Sequence, residues 1–300
     1  DDLSTGIIVC SVSCLCIATL AVSARFYTRT TIVRAVASED WFALAALLLA
    51  IGSTAGTIWQ ARTGNGRHMW TLTPQDFMSN MKASWMTTLF YQLSLACCKI
   101  SILLLYIRVL TYDYIRRLAY VLLAIVIIYN GLGFISTMTL CVPLQAFWDP
   151  SVHGNCHANL DYMWAVIGFH IGTDFLIFLL PIPVVLRMTL PASNKIMLLL
   201  IFALGFLVCL VSVLRAVWIQ ESMRSTDITW DNVSVTNWTS VEQCTSIVCA
   251  CLIVIKPLVA KLWRRIRSSA RSSGPGGAHE FSPSSESSSN GGRPPTIGTR

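Results

Sequence analysis

Long apolar runs separated by short polar connections fill most of this chain. Seven of them, at 4–26, 40–61, 84–107, 118–141, 162–186, 196–219 and 239–260, reach bilayer-crossing length. About 20 apolar residues at about 1.5 Å each cover roughly 30 Å of hydrocarbon, and a helix satisfies its own backbone groups there. The pattern predicts an all-α protein, a seven-transmembrane helix bundle. Lys99, Asp174, Arg215 and Glu242 interrupt the apolar runs. A charge at such depth faces the bundle interior and takes a partner.

Composition supports the same class: 54% of the 300 residues are hydrophobic and 12% charged, an apolar share above and a charged share far below those of a soluble domain. Spans and short connections consume the chain to about residue 261, so residues 1–267 read as one membrane domain. From 268 to 300 the sequence turns to Ser, Gly and Pro, as in Ser282-Pro283-Ser284-Ser285, which cannot build a core and reads as a disordered tail. The chain opens Asp1-Asp2 without an initiator Met, as a processed chain or a fragment would, and shows no evident cleavable signal peptide.

The net charge of +7 does not indicate a nucleic-acid partner, because the basic residues collect at span ends instead of among aromatics on a polar surface. Arg25, Arg29 and Arg34 fall in the first connection, Arg108, Arg116 and Arg117 in the third, Arg187 and Lys195 in the fifth, and Lys261, Arg264, Arg265, Arg267 and Arg271 after the last span. The positive-inside rule therefore puts these connections and the C-terminus in the cytoplasm and the N-terminus outside. Two sequons, Asn232-Val-Ser234 and Asn237-Trp-Thr239, fall in the last external connection and are candidate glycosylation sites. Most of the eleven cysteines lie in spans as small packing residues. Cys141 and Cys156 bracket an external connection, where an oxidising compartment favours a disulfide.

Local cues refine the helices. Gly52-x-x-x-Gly56 and Gly168-x-x-x-Gly172 allow close helix approach, and Pro181 and Pro183 end or loosen the fifth span. The mixed apolar and basic stretch 257–267 suits a short helix at the inner membrane surface.

Lys99 stands seven residues after Gln92 and seven before Tyr106, so the three form a polar stripe on one face of the third span. In the fifth span His170 lies one turn from Asp174. Counted from the basic ends, Lys99 is about 14 Å and Asp174 about 20 Å deep, within a lysine's reach of one another. Arg215 late in the sixth span and Glu242 early in the seventh make a second pair, nearer the outer mouth. Each pair reads either as a structural salt bridge or as part of a ligand pocket or proton pathway. Arg67, His68 and Trp70 in the first external loop are placed to shape an entrance.

Other chemistry finds little support. Retinal needs a lysine within the seventh span, and Lys256 sits close to its cytoplasmic end, where it snorkels. No cofactor is expected. His153, Cys156 and His157 suit zinc by type but crowd one loop without a fourth ligand, so no metal site is assigned. No nucleophile with a His and acid partner and no phosphate-cradling glycine loop is evident, and no catalytic residue is assigned.

Arg25-Phe26-Tyr27-Thr28-Arg29, Asp40-Trp41, Gly64-Asn65-Gly66-Arg67-His68, Lys99-Ile100-Ser101, Cys141-x-Pro143 with Trp148 and Gly154-x-Cys156, Asp174 with Leu180-Pro181-Ile182-Pro183, Leu190-Pro191 and Arg215 occur in that order. Together they resemble the fungal rhodopsin-domain integral membrane proteins across all seven spans. The resemblance implies a seven-helix protein similar to G-protein-coupled receptors; some members look like sensors and some sit beside natural-product biosynthesis genes. The chain lacks the Asp-Arg-Tyr and Asn-Pro-x-x-Tyr motifs of the large animal receptor class, although Arg108 occupies a comparable cytoplasmic position.

The expected protein is thus a multi-pass, receptor-like protein of the plasma membrane, binding an unknown small molecule and acting through a G protein or another cytoplasmic effector. The alternatives are a membrane-embedded enzyme, such as an acid-initiated cyclase with Asp174 or Glu242 as proton donor, and a small-molecule transporter.

Overall fold

The computed structural model describes residues 3–109, 112–149, 151–156, 160–183 and 192–272. The predicted Leu190-Pro191, Arg187, His157 and the tail beyond Ser272 lie outside these residues, as do the side chains of Lys256 and the basic stretch after it.

Seven long helices are present among the described residues: α1 (Ser4–Tyr27), α2 (Ser38–Thr63), α3 (Pro74–Val109), α4 (Asp113–Met138), α5 (Leu160–Leu179), α6 (Ala192–Arg224) and α7 (Ile228–Ser272). The first compact unit runs from Asp1 to Ala260; the second begins at Lys261, and its described part, 261–272, is helical. Among the described residues, five helical segments are long and apolar enough to cross a membrane: Ser4–Val33, Ser38–Thr63, Pro74–Val109, Asp113–Met138 and Phe202–Arg224. The fifth helix offers a shorter apolar segment, Met163–Leu179. α7 carries a heavy polar load, including Ser240, Glu242, Gln243 and Ser246.

Local chemistry sets the helix ends. α3 starts ten residues before its apolar run because Thr73 caps it: the Asp76 N–H donates to Thr73 Oγ1 at 3.2 Å, with Pro74 opening the first turn. At the start of α2, the Asp40 carboxylate accepts the Ala37 N–H at 3.0 Å. α2 ends in Gly64-Asn65-Gly66, whose glycines adopt φ of 131° and 95°, values that a side chain disfavours. Between them Asn65 is fully buried and donates to Thr236 Oγ1 at 3.0 Å, fastening the turn to α7. α5 stops at Leu179, just before Pro181.

Alanines and cysteines pack with branched aliphatic side chains in the interior, and further large apolar side chains face outward, where lipid would meet them. Ala18, Val22, Ala46, Ala50, Cys98, Ile247 and Cys251 form one apolar cluster between α1, α2, α3 and α7. Leu103, Ala119, Leu122, Val126 and Ile177 form a second between α3, α4 and α5. Leu20, Leu48, Ile128, Leu132 and Phe169 are exposed. Gly52 and Gly56 bring α2 against α3, since a Cβ on them would stand 3.0 Å from the Phe90 ring and 2.4 Å from Thr87 Oγ1. Gly168 and Gly172, read from sequence as a second packing motif, sit where an added Cβ would meet nothing within 4 Å.

The polar connections are shorter than the hydropathy pattern indicates, because helices continue past their apolar portions. Arg25 and Arg29, assigned from sequence to the first connection, lie in α1 and in a π-helical turn that extends it, Thr28–Val33. Both are buried. Only Ser225–Asp227 separates α6 from α7. The sequons therefore lie within a helix and not in a loop: Asn232 donates to Asn65 Oδ1 at 3.4 Å, and Asn237 Oδ1 is buried. A sequon is an acceptor when it sits on an open surface loop, so this placement removes the argument for glycosylation. The connection after α4 forms a two-stranded antiparallel ribbon, β1 (Cys141–Val142) and β2 (Asn155–Cys156), with Cys141 opposite Cys156 and disulfide-bonded to it. Cys156 is therefore not a free thiolate for zinc.

Candidate functional site

The charges that interrupt the spans meet in one place. On α3, the Lys99 ammonium donates to Thr173 Oγ1 at 2.8 Å and to the His170 carbonyl at 3.1 Å, and lies 3.1 Å from Asp174 Oδ1. On α5, His170 and Asp174 share a face because they are one helical turn apart. His170 Nε2 lies 3.3 Å from Asp174 Oδ2 and 3.2 Å from Glu242 Oε1 on α7. Glu242 Oε2 then stands 2.7 Å from Arg215 Nε on α6 and accepts the Tyr91 hydroxyl from α3. The Arg215 guanidinium lies 5.2 Å from the centre of the Tyr91 ring, a cation–π contact. Ser212 donates to Asp174 Oδ2 at 3.3 Å.

Sequence spacing suggested two pairs at different depths; His170 and Glu242 join them into one network. His170 Nδ1 lies 3.4 Å from the Lys99 ammonium, so the imidazole bridges the lysine and the two carboxylates. Two cations then balance two carboxylates. The Arg215 Nε–H is not aligned on a partner, so charge rather than a directed hydrogen bond holds that contact.

A cleft opens beside this network between α3, α4 and α5, lined by Tyr91, Gln92, Leu95, Tyr129, Asn130, Gly133 and His170. It contains about 300 Å³ of free space including its mouth, of which only about 20 Å³ is room for the centre of a water. That holds roughly one water, so a larger guest must separate the helices. Gln92 lines the cleft and accepts from Thr137 Oγ1 at 3.0 Å. Above it, Trp85 donates to the Thr137 carbonyl at 3.0 Å and meets Trp148 of the disulfide-closed connection edge-on. Tyr106, read as part of the same polar stripe, packs instead against the Leu103 and Leu122 cluster.

Two further polar clusters were not legible from spacing. At one end of the bundle Arg25 Nε donates to Asp40 at 2.8 Å and its Nη1 to the Ala250 carbonyl at 2.8 Å. Beside it Glu39 Oε1 receives both Arg29 at 2.7 Å and Arg108 at 3.0 Å. The basic residues at the span ends were the available signal, together with Glu39 and Asp40 at the start of the second run. At the other end, His68 is stacked between Trp70 and Trp230 at centroid distances of 4.5 and 4.3 Å, and its Nδ1 lies 2.6 Å from Asp227 Oδ2.

His170, Asp174 and Glu242 are also the set of described residues whose ligand atoms converge enough to hold a metal ion. Lys99 and Arg215 already occupy the positions that would balance the carboxylates, so the donor set is that of an ion-pair network rather than of a metal centre.

Residues 24–261 match the Fungal rhodopsin domain family. Among curated proteins, the chain is 27% identical over 241 residues to Receptor GIN3 of Arthrobotrys oligospora, covering 80% of this chain and 58% of that protein. It is 24% identical over 259 residues to the polyenoic acids biosynthesis gene cluster protein Ba17b of Metarhizium anisopliae, covering 81% and 70%. A SAT4 family membrane protein of Emericella nidulans is 27% identical over 180 residues, covering 58% and 47%. The chain thus spans little more than half the length of Receptor GIN3.

Proposed function

The chain belongs to the fungal rhodopsin-domain family of multi-pass membrane proteins, and we propose that it is receptor-like, binding a small molecule beside its buried charge network. The carrying observation is that the cleft between α3, α4 and α5 shares Tyr91 and His170 with a network that ties together α3, α5, α6 and α7. A guest entering the cleft must act on these two side chains. It then favours one helix arrangement over another to the extent that it binds them differently.

Because the network is balanced, a charged guest would bring an uncompensated buried charge, so the preferred ligand is neutral and hydrogen-bonding. The N-terminus lies outside and the connections rich in Arg and Lys lie in the cytoplasm. On that side Arg108 and the C-terminal tail meet a G protein or another effector. The plasma membrane is the site of action. A relative named as a receptor is consistent with this reading.

Relatives named for biosynthesis clusters favour a second reading, a membrane-embedded enzyme. An acid-initiated mechanism needs a carboxyl that donates a proton, whereas Glu242 accepts from Tyr91 and both carboxylates face cations. The receptor reading therefore stands first.

Gly133 provides the test, because it lines the cleft and a Cβ there would meet nothing within 4 Å. Gly133→Leu puts a side chain at the cleft from a position where its first carbon meets no neighbour. Small molecules extracted from purified wild-type protein and identified by mass spectrometry should be missing from the variant, with thermal unfolding unchanged. Identical extracts, or none specific to the wild type, would sink the proposal.

A further inference from the structure

Among the described residues, the cleft beside the charge network is closed on all sides but one. Toward the start of α3 it is roofed: Gln92 accepts from Thr137, Trp85 donates to the Thr137 carbonyl, and Trp148 lies against Trp85. Toward the other end the packed cluster of Leu103, Leu122, Val126 and Ile177 forms its floor. Tyr91, Leu95 and His170 make the inner wall. The side that remains is at Gly133 on α4, which lines the cleft, is partly exposed, and stands where an added Cβ would meet nothing within 4 Å. Its neighbours Leu132 and Phe134 are exposed, as is Phe169 on α5. The opening thus gives onto an apolar outer surface, which in a multi-pass membrane protein faces hydrocarbon.

Two amides border this space. Asn130, midway along the apolar run 118–141, donates to the Val126 carbonyl at 2.8 Å; that bond orients the amide and leaves Oδ1 with no donor among the described residues. Gln92 accepts at Oε1 and has no acceptor for its Nε2 among them. Hydrocarbon offers neither atom a partner, so one acceptor and one donor stand unpaired beside room for a single water.

Resting on the reading that this cleft binds a small molecule, we propose that the ligand is a lipid-soluble alcohol that reaches the cleft through the bilayer, at Gly133. Only the hydroxyl enters. It donates to Asn130 Oδ1 and accepts from Gln92 Nε2, and the room of about 20 Å³ fits a group of that size. The hydrocarbon portion lies along the outer face of α4 beside Gly133, on surface that is already apolar, so the helices need not part. A carboxylate or an amine would bring a charge to a network whose two cations and two carboxylates already balance. An ether of the same shape lacks the proton that Asn130 requires.

The test reconstitutes the purified full-length chain in phosphatidylcholine vesicles carrying a diazirine-bearing long-chain alcohol, a diazirine-bearing sterol, or the methyl ether of either, and maps photolabelled peptides by mass spectrometry. Label on residues 130–134 and on Phe169 should be about fivefold greater from one of the alcohols than from its ether, the worth of one hydrogen bond. Which alcohol does so separates a chain lipid from a sterol. Asn130→Leu, with an unchanged melting curve, should erase the excess, while label on the exposed Ile17 and Leu20 of α1 stays as in the wild type. The ether comparison needs no variant and decides alone if Asn130→Leu does not fold. Equal labelling by alcohol and ether, label on α4 no greater than on α1, or an excess that survives Asn130→Leu overturns the proposal. Water-soluble molecules that co-purify with the wild type and are lost in Gly133→Leu would leave the cleft reading intact and overturn this one. No cleft label and no co-purified guest would remove both.

Discussion

Glu242 Oε2 stands 2.7 Å from Arg215 Nε, with Glu242 fully buried and Arg215 covered by the Tyr91 ring. The contact places a helix-six cation against a helix-seven anion whose side chains are 12% and 1% exposed. Arg215→Met should therefore leave an uncompensated carboxylate and cost about 3–5 kcal/mol, while Arg215→Met combined with Glu242→Leu should cost less than either single change. Thermal unfolding in detergent of the two single variants and the double variant measures the coupling, and additive losses would contradict the pairing.

Arg29 and Arg108 share Glu39 Oε1 but differ in surroundings: the Arg29 side chain is 7% exposed and that of Arg108 is 48% exposed. Arg108→Ala should cost no more than about 1 kcal/mol, because solvent screens its contact and Arg29 keeps Glu39 compensated. Arg29→Ala should cost several times that, about 3–5 kcal/mol. If Arg108 serves effector coupling, its substitution reduces signalling in a protein of nearly unchanged melting temperature. A large loss of stability would assign it to the scaffold.

Gly56 lets α2 and α3 close on one another. Gly56→Ala should destabilise by about 1–3 kcal/mol through the clash with Thr87 Oγ1. Thr87→Ala removes the clashing atom, so the double variant should recover most of the loss. Gly168→Ala and Gly172→Ala meet open space and should leave the melting temperature unchanged or slightly raised.

Acid should loosen the junction between the 64–72 segment and α7. Burial raises the Asp227 carboxyl, but hydrogen bonds from His68 and the Met69 N–H, with the attraction of His68, outweigh it and hold the group below its usual 3.8. A folded value below the unfolded one means that the contribution is complete above about pH 4 and disappears as pH falls through the depressed value. Wild type should therefore melt higher than Asp227→Asn at neutral pH, with the gap closing under strong acid. A gap independent of pH would remove the carboxylate from the account.

Several features were legible before any tertiary contact was known. Apolar run length fixed the number of helices, and Lys99, His170 and Asp174 fell on interior faces through helical spacing alone. Cys141 and Cys156 were paired by the loop they bracket. Hydropathy failed at the helix ends, where Thr73-Pro74 starts α3 early and α7 continues upstream to Ile228 through polar residues that pack against other helices. The sequons were misplaced for that reason.

The sequence by itself determined a seven-helix membrane protein with charges that have to be paired, because bilayer thickness and the cost of bare charge act on each segment separately. It could not determine the partners. That Glu242 draws together Tyr91, His170 and Arg215, and that Arg25 reaches the Ala250 carbonyl, were decided by helix rotation and packing. Those depend on how small residues on several helices fit at once, which no one-dimensional period records.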